Sequence, residues 1–268
     1  MTGPDYRPAM PTSDIGARLK RWRGHRRLSQ LDLAFEAGIS TRHLSFVETG
    51  RARPSRDLLL ALAERLQMPL RERNRLLMAA GFAPAFPEHD LADARLAAGR
   101  GAVAQVLAAF GANPALAVDA RWNLIEANAA TTILMQDVAP GLLVPPVNVL
   151  RLSLHPAGLA PRILNLPEWR ASIFQRLREQ LAATADEHIA ALLEELVAYP
   201  GGEAEVGLAE SFVLPLRLVS SAGELAFIGM TTVFGTPLEV TLSEIAIETF
   251  LPADTSTTER MRLLLSSE

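Results

Sequence analysis

The sequence predicts a multidomain protein in which a small all-α domain precedes a larger α+β domain. The chain has 268 residues, and a domain usually takes about 100 to 200 residues, so two domains are expected. Short helical patterns fill the first part of the chain, whereas strand-like alternation begins only beyond it. We therefore expect a flexible arm at 1–12, domains at 13–80 and 99–254, a linker at 81–98, and a C-terminal helix or tail at 255–268.

Charge and composition narrow the class of protein. Residues 1–80 carry a net charge of +7 and residues 81–268 a net charge of −11, which predicts a polyanion-binding module joined to a domain that avoids the polyanion. An ordinary charge fluctuation between two domains is the alternative. The absence of cysteine excludes disulfides, zinc–thiolate sites and cysteine nucleophiles. The sequence has neither a long apolar run nor a signal-peptide core, so we expect a cytoplasmic protein without membrane insertion.

Five short helices are expected in residues 13–80. The first begins after Thr12 or Ser13 and ends near Gly24, because Ile15, Leu19 and Trp22 recur at helical spacing. The second begins with a capping box formed by Ser29 and Asp32 and ends at Gly38, with Leu31 sealing the angle to the third helix. Ser40 caps that third helix, which turns Leu44 and Val47 inward. Leucine-rich fourth and fifth helices follow Ser55 and Pro69.

The larger domain mixes strands and helices. A hairpin is expected around Ala120-Arg121, and helices at about 91–111, 127–136, 147–155, 167–184 and 186–198. Alternating residues then predict an antiparallel meander of three strands at 212–219, 225–234 and 239–250. With the early hairpin, about five strands are expected.

The segment from Ser29 to Gly50 is the most specific signal in the chain. Two short helices joined by a tight turn at Gly38 form a helix-turn-helix, whose second helix can enter the major groove. Because one helix of this length reads few base pairs, we expect a homodimer on a two-fold-related double-stranded DNA operator.

This segment resembles the XRE-type, Cro/repressor-like family over about residues 14–79. The resemblance rests on residues 28–34 (LSQLDLA) and 38–55 (GISTRHLSFVETGRARPS). It implies that Glu48 supports the following loop rather than touching DNA. It also implies a DNA-binding set comprising Ser29, Gln30, Ser40, Thr41, Arg42, His43, Ser45, Arg51, Arg53 and Ser55.

The larger domain shows no catalytic signature. His89, His155 and His188 lack metal-ligand spacing, and neither a phosphate loop nor a Gly-x-Ser-x-Gly elbow is present. Its apolar content instead predicts a cavity for a small apolar ligand. The candidate lining residues are Phe174, Leu177, Leu181, Phe227, Met230, Phe234, Ile245 and Phe250. Asn148, Arg151 and His155 share one helix face and could meet an anionic head group; alternatively, Arg151 pairs with a local carboxylate and His155 caps its helix.

A second resemblance covers roughly residues 99–254. Residues 114–119 (PALAVD) with Trp122, 148–151 (NVLR) with His155-Pro156, and 234–237 (FGTP) with Pro252-Ala253-Asp254 resemble the MmyB-type ligand-binding region of bacterial regulators. The resemblance implies a PAS-like antiparallel sheet that holds an apolar ligand, with a fatty acid or similar lipid as the candidate and Trp122 near it.

These observations favour a ligand-responsive transcription regulator without enzymatic activity or an obligatory cofactor. One alternative is an enzyme that carries its own DNA-binding domain, which a strongly perturbed titratable pair in a cleft would reveal. The other is a constitutive DNA-binding protein whose second domain only dimerises or recruits a partner. A fully packed interior in that domain would favour it.

Overall fold

The computed structural model describes residues 12–202, 204 and 213–266. The main division between its two compact units falls between Glu88 and His89. Most of the predicted arm, residues 1–11, lies outside the described residues, as does Phe212 from the first predicted strand of the meander.

The first unit contains the five predicted helices. They are α1 (Thr12–His25), α2 (Gln30–Glu36), α3 (Thr41–Glu48), α4 (Arg56–Arg65) and α5 (Leu70–Ala79). The predicted capping box at Ser29 and the predicted cap at Ser40 are both present, and Ser55 caps α4 in the same way. In each case a hydroxyl accepts a hydrogen bond from a backbone amide that has no partner inside the helix. Local chemistry therefore sets where these helices begin.

The core of this unit contains most of the side chains that the helical spacing selected. Ile15, Leu19, Trp22, Leu44 and Val47 are all buried. The role predicted for Leu31 is wrong, because its side chain is 66% exposed. The buried side of α2 consists of Leu33 and Ala34. Since residues on a helix are about 100° apart, Leu31 points nearly opposite to Leu33.

The rest of the chain mixes helices with five strands. The helices are α6 (Ala97–Ala109), α7 (Ala129–Leu134), α8 (Val149–Leu154), α9 (Leu166–Thr184), α10 (Glu187–Val197), α11 (Val240–Ser243) and α12 (Thr255–Ser266). The strands are β1 (Ala115–Val118), β2 (Leu124–Ala127), β3 (Leu216–Ser220), β4 (Gly223–Val233) and β5 (Ala246–Pro252). Short 3-10 turns lie at Ala94–Leu96, Pro140–Leu143 and Ala160–Arg162.

The five strands form one sheet in the order β2-β1-β5-β4-β3, and every neighbouring pair is antiparallel. This confirms the predicted meander, since β3, β4 and β5 are consecutive neighbours. The predicted turn at Ala120-Arg121 is too short, because residues 119–123 all lie between β1 and β2. The Asp119 carboxylate closes this connection by accepting from the amides of Arg121 and Asn123, both at 2.8 Å.

The largest differences from the predicted element boundaries lie in three segments. The segment predicted as a strand over 239–250 begins with the helical turn α11, and β5 starts only at Ala246. Val240 at the start of α11 and Ile245 just before β5 are both buried, and a spacing of five positions would place them on opposite faces of a continuous strand. The predicted strand at 212–219 becomes β3 from Leu216, after Pro215, which has no amide to donate to a ladder. The helix predicted from residue 91 begins at Ala97, after a 3-10 turn.

Alternation along the strands divides the sheet into two faces. Ala115, Ala117 and Ile247 pack with Val103 and Leu107 of α6 on one face. The intervening residues on the other face pack toward α8, α9 and α12; they are Leu116, Val118, Phe227 and Phe250. Helices therefore cover the second face at β3, β4 and β5, whereas α6 covers its face only at β1 and β5, because Arg217, Val219 and Met230 on that face are exposed. A side chain's position along its strand decides which face it joins.

Close packing of α1 against α3 gives a stability prediction. A Cβ added at Gly16 would lie 2.3 Å from the Glu48 carbonyl oxygen, so Gly16→Ala forces the two helices apart. We expect a loss of about 1 to 3 kcal/mol in the free energy of unfolding, the usual cost of overpacking. Denaturant unfolding measures this change.

Gly24→Ala is the matched control, because a Cβ added there meets nothing within 4 Å in the same helix. It should leave stability unchanged or raise it by about 0.5 to 1 kcal/mol, since alanine favours helix over glycine. Equal losses from both substitutions would contradict the close approach at Gly16.

Candidate functional site

The first candidate site is the exposed side of α3. The turn before α3 passes through Gly38 in a left-handed conformation, with φ of +67°, which glycine adopts without steric cost. Arg42 is exposed, and its guanidinium carbon lies 5.3 Å from the centre of the Phe46 ring. Thr41, His43 and Ser45 are half-buried. Arg42 and Ser45 lie away from the buried pair Leu44 and Val47, and Thr41 and His43 lie at the edges of this side, so α3 presents a polar surface.

The remaining residues of the predicted DNA-binding set flank this helix. The hydroxyls of Ser29, Ser40 and Ser55 accept from backbone amides at 3.1 to 3.2 Å, so each already has a capping role. Arg51 is exposed in the loop after α3. Arg53 is also exposed, and its guanidinium donates to the Ala80 carbonyl at 3.3 Å. The structure thus places the predicted set on α3, the start of α2 and the loop that follows α3.

A buried carboxylate holds the two helices of the motif to α1. Glu48 is 7% exposed and accepts from Arg23 at 2.7 and 3.0 Å and from the Gln30 amide at 2.7 Å. Burial alone would raise the pKa of Glu48, but the hydrogen bonds from Arg23 and Gln30 outweigh it and the pKa is lowered. These partners lie in α1 and α2, whereas the family resemblance implied support of the following loop.

The second candidate site is a cavity of about 250 Å³ on one face of the sheet. It is enclosed by residues of α7, α8 and α9 and by the strands β3, β4 and β5. Among the predicted ligand-binding residues, Trp122, Phe227 and Phe250 line it. Most of the other lining residues are apolar. A fully packed interior would have favoured a domain that only dimerises, but this face of the sheet contains a cavity.

Six other predicted residues lie outside the cavity lining that the structure describes. Phe234 and Ile245 pack with α6 across the sheet, and Met230 is half-exposed on β4. Met230 lies between Gly229 and Thr231, which do line the cavity, so strand alternation turns it away. Phe174, Leu177 and Leu181 join the core formed with α10.

The polar residues predicted to meet a head group also have other roles. Arg151 forms a two-point ion pair with Glu195 at 2.8 and 2.7 Å, and hydrogen bonding from Arg151 lowers the pKa of Glu195. The Tyr199 hydroxyl donates to the same carboxylate at 2.5 Å. Burial of this hydroxyl, together with its hydrogen bond to Glu195, raises the pKa of Tyr199 to about 12. Asn148 caps α8, and the His155 ring packs edge-on against Tyr199. Arg151 thus pairs with a local carboxylate, as in the alternative considered from the sequence. It does not line this cavity, where it would have to lie to meet a head group.

The charged end of the cavity consists of residues that the sequence analysis missed. Arg176 of α9 donates to both carboxylate oxygens of Glu248 on β5, at 2.9 and 2.5 Å, and to the Thr231 hydroxyl at 2.6 Å. Its guanidinium carbon lies 4.4 Å from the centre of the Trp122 ring. The sequence did contain a signal for Glu248. It lies two residues before Phe250, a predicted lining residue, so strand alternation places both on the same face.

The family comparison identifies both units. Residues 100–264 match the model described as the MmyB-like transcription regulator ligand binding domain, which is more than half of the chain. The chain belongs to this family. Residues 19–73 match a helix-turn-helix model, so this MmyB-like regulator carries an XRE-type DNA-binding region before its ligand-binding domain. This arrangement is that of a ligand-responsive transcription regulator.

Similar solved structures include two bacterial regulators. The restriction-modification controller protein C.AhdI from Aeromonas hydrophila is 34% identical, over 23% of this chain and 94% of that chain, with a TM-score of 0.22. The clp gene regulator ClgR from Corynebacterium glutamicum is 23% identical, over 39% of this chain and 98% of that chain, with a TM-score of 0.24. The search of curated proteins found no match.

The described residues contain neither a membrane-spanning helix nor a metal-binding cluster. Among the helices at 12–202 and 213–266, none combines the length and apolar character needed to cross a membrane. Within the same part of the chain, histidine and carboxylate side chains do not cluster in a way that could hold a metal ion.

The buried carboxylate of this MmyB-like regulator gives a pH prediction. Because the pKa of Glu48 lies below its ordinary value of 4.5, its stabilising contribution is present above pH 4.5 and is lost as pH falls through the lowered pKa. Glu48→Gln should lower the free energy of unfolding at pH 7 by on the order of 2 kcal/mol. The difference from wild type should shrink in acid.

Denaturant unfolding at a series of pH values measures this difference. Glu36→Gln is the control, because Glu36 is an exposed carboxylate at the end of α2. It should change stability little at any pH. A Glu48→Gln difference that stays constant from pH 7 down to acid unfolding would show that the ion pair with Arg23 is not what stabilises this region.

Proposed function

We propose that this regulator binds a two-fold-related DNA operator as a homodimer and holds a fatty acid or similar lipid in the cavity of a PAS-like domain. One observation supports both halves of the proposal. The same chain contains a helix with a polar exposed side, in a unit of net positive charge, and an apolar cavity in an MmyB-like domain. DNA binds to a positively charged polar surface, whereas a lipid chain binds to an apolar one. The first unit provides the polar surface and the second unit the apolar cavity.

The DNA half of the proposal rests on the chemistry of α3. Arg42 has an exposed guanidinium that can donate two parallel hydrogen bonds to a guanine edge. Thr41, His43 and Ser45 lie beside it, with Gln30 at the start of α2. Part of the Gln30 amide is already used by Glu48, which orients its side chain. Arg51 and Arg53 can follow the phosphate backbone, which positions the protein without reading sequence.

The dimer follows from the length of the reading helix. Eight residues of α3 span about 12 Å at 1.5 Å per residue, which covers only part of one operator turn. Two copies on half-sites about 34 Å apart would supply the remaining specificity and affinity.

The lipid half rests on the cavity lining. Trp122, Phe227 and Phe250 provide aromatic walls, and an apolar chain gains about 0.8 kcal/mol for each buried CH₂ group. The volume of about 250 Å³ lies just below the range of about 300 to 1,000 Å³ typical of small-molecule sites. The five-stranded antiparallel sheet beneath it supports the PAS-like assignment. Arg176 is the cationic residue of the lining, so a polar head would lie there.

The DNA proposal predicts different effects for two arginines. Arg42→Ala should lower affinity for the operator by about 1 to 3 kcal/mol, roughly 5- to 150-fold, and reduce discrimination against random DNA. Arg53→Ala should instead weaken operator and random duplexes by similar factors, because a phosphate contact is not sequence-specific. Fluorescence anisotropy with an operator selected from random duplexes measures both affinities.

Arg178→Ala is the control, since Arg178 is an exposed arginine of α9 in the other unit. It should leave both affinities unchanged, and circular dichroism should show that all three variants fold. If Arg42→Ala binds the operator as tightly as wild type does, α3 is not the reading helix.

The lipid proposal predicts that filling the cavity abolishes ligand stabilisation. A Cβ added at Gly229 would meet only Phe250, at an ordinary 3.7 Å, so a larger side chain there can enter the cavity. Fatty acids and alcohols of about 8 to 18 carbons should raise the thermal unfolding midpoint of the delipidated chain, because binding to the native state stabilises it. Gly229→Leu should lose most of that rise.

Met230→Leu is the control, because the neighbouring side chain lies outside the lining and keeps its volume. It should respond to lipid as wild type does. Native mass spectrometry of the purified chain adds an independent measurement, a co-purified lipid. No midpoint shift with any lipid and no co-purified molecule would contradict the lipid proposal and favour a second domain that only dimerises.

A further inference from the structure

The opposite charges of Arg176 and Glu248 cancel at the charged end of the cavity. Among the lining residues that the structure describes, Arg176 and Glu248 are charged, and they form a two-point ion pair with each other. Glu248 is only 7% exposed, whereas the Arg176 side chain is 42% exposed. A ligand that approaches from inside the cavity therefore meets a compensated pair rather than a single cation.

Other contacts hold this pair in place. Thr231 accepts from Arg176 at 2.6 Å and donates to Glu248 at 3.3 Å, so its hydroxyl bridges the two groups. The Trp122 ring covers one side of the guanidinium, and its indole nitrogen donates to Gln180 at 2.8 Å. Because α9, β4, β5 and the β1–β2 connection all contribute, Arg176 cannot turn away from Glu248 without breaking several interactions.

A carboxylate head group would gain little at this end. Attraction to Arg176 would be offset by repulsion from Glu248, which lies within hydrogen-bond distance of the same guanidinium. Displacing Glu248 would leave a buried carboxylate without its cation, which is costly. An uncharged hydroxyl or amide avoids both penalties, because it can donate to a Glu248 oxygen and accept from an Arg176 N–H.

We infer that this cavity prefers lipids with an uncharged, hydrogen-bonding head, a hydroxyl or an amide, over carboxylates of the same chain length. Glu248 is the specificity-determining residue, since it cancels the charge of Arg176. The inference rests on the proposed lipid-binding function and narrows its ligand class.

A matched pair of ligands tests this preference in the full chain. Isothermal titration calorimetry at pH 8, where a free carboxyl is ionised, compares 1-decanol with decanoate after delipidation. Wild type should bind 1-decanol more tightly. Glu248→Gln keeps the shape of the side chain but removes its charge, so decanoate affinity relative to 1-decanol should rise by about tenfold.

Glu195→Gln is the matched control, because Glu195 forms the same two-point pair with Arg151 outside the cavity lining. It should leave the ligand ratio unchanged. The double variant Arg176→Met with Glu248→Leu removes both charges and should still prefer 1-decanol, with circular dichroism reporting its folding. Two outcomes would overturn the head-group inference while leaving lipid binding in place. One is a wild type that prefers decanoate, and the other is a ratio of decanoate to 1-decanol affinity that Glu248→Gln leaves unchanged. If neither ligand binds wild type, the head-group inference fails, and the lipid proposal fails as well when the longer and shorter lipids leave the unfolding midpoint unchanged and no molecule co-purifies.

Discussion

The two-residue repeat of side chains along β4 and β5 is the constraint on which the ligand cavity depends. In the register of the sheet, Thr231 lies opposite Glu248 and Gly229 lies opposite Phe250, so all four belong to one face. A shift of one residue would place Glu248 in the apolar layer under α6 and move Ile247 into the cavity. Because the side of β5 that faces α6 is buried, at Ile247 and Thr249, such a shift would bury a carboxylate without a partner. The register and the polarity of the cavity therefore depend on each other.

The ion pair between Arg176 and Glu248 has a different role from a surface salt bridge. An exposed pair contributes at most about 1 kcal/mol, whereas removing one partner of a buried pair costs several times more. Here only the carboxylate is well buried, and the guanidinium lies at the partly exposed edge of the cavity. The pair joins α9 to the sheet and at the same time provides the polar groups that a ligand meets. The same three side chains, with Thr231 as the third, thus hold α9 to the sheet and, in the binding mode proposed for the cavity, select the head group.

The DNA-binding unit uses a buried carboxylate in a similar way. Glu48 joins Arg23 and Gln30 and so connects α3 to α1 and to the start of α2. In α3 the buried positions are Leu44, Val47 and Glu48, which leaves the opposite side of the helix to Arg42 and Ser45. A carboxylate that remained exposed near phosphate would repel it. Burying Glu48 in an ion pair keeps its charge away from the exposed side of α3 and joins α3 to α1 and to the start of α2.

The sequence by itself determined the helices of the first unit, their serine caps and the general class of the second unit. These features depend on interactions within a few residues, such as a hydroxyl and an amide three positions apart, or on a repeat that can be counted along the chain. Leu31 shows the limit of this approach, because its apolar character did not indicate which way a seven-residue helix would turn it. Only the tertiary structure decided which residues line the cavity. Arg176 and Glu248 are 72 positions apart, and Arg151 and Glu195 are 44 apart, so their pairing depends on sheet register and helix packing, which no local pattern specifies.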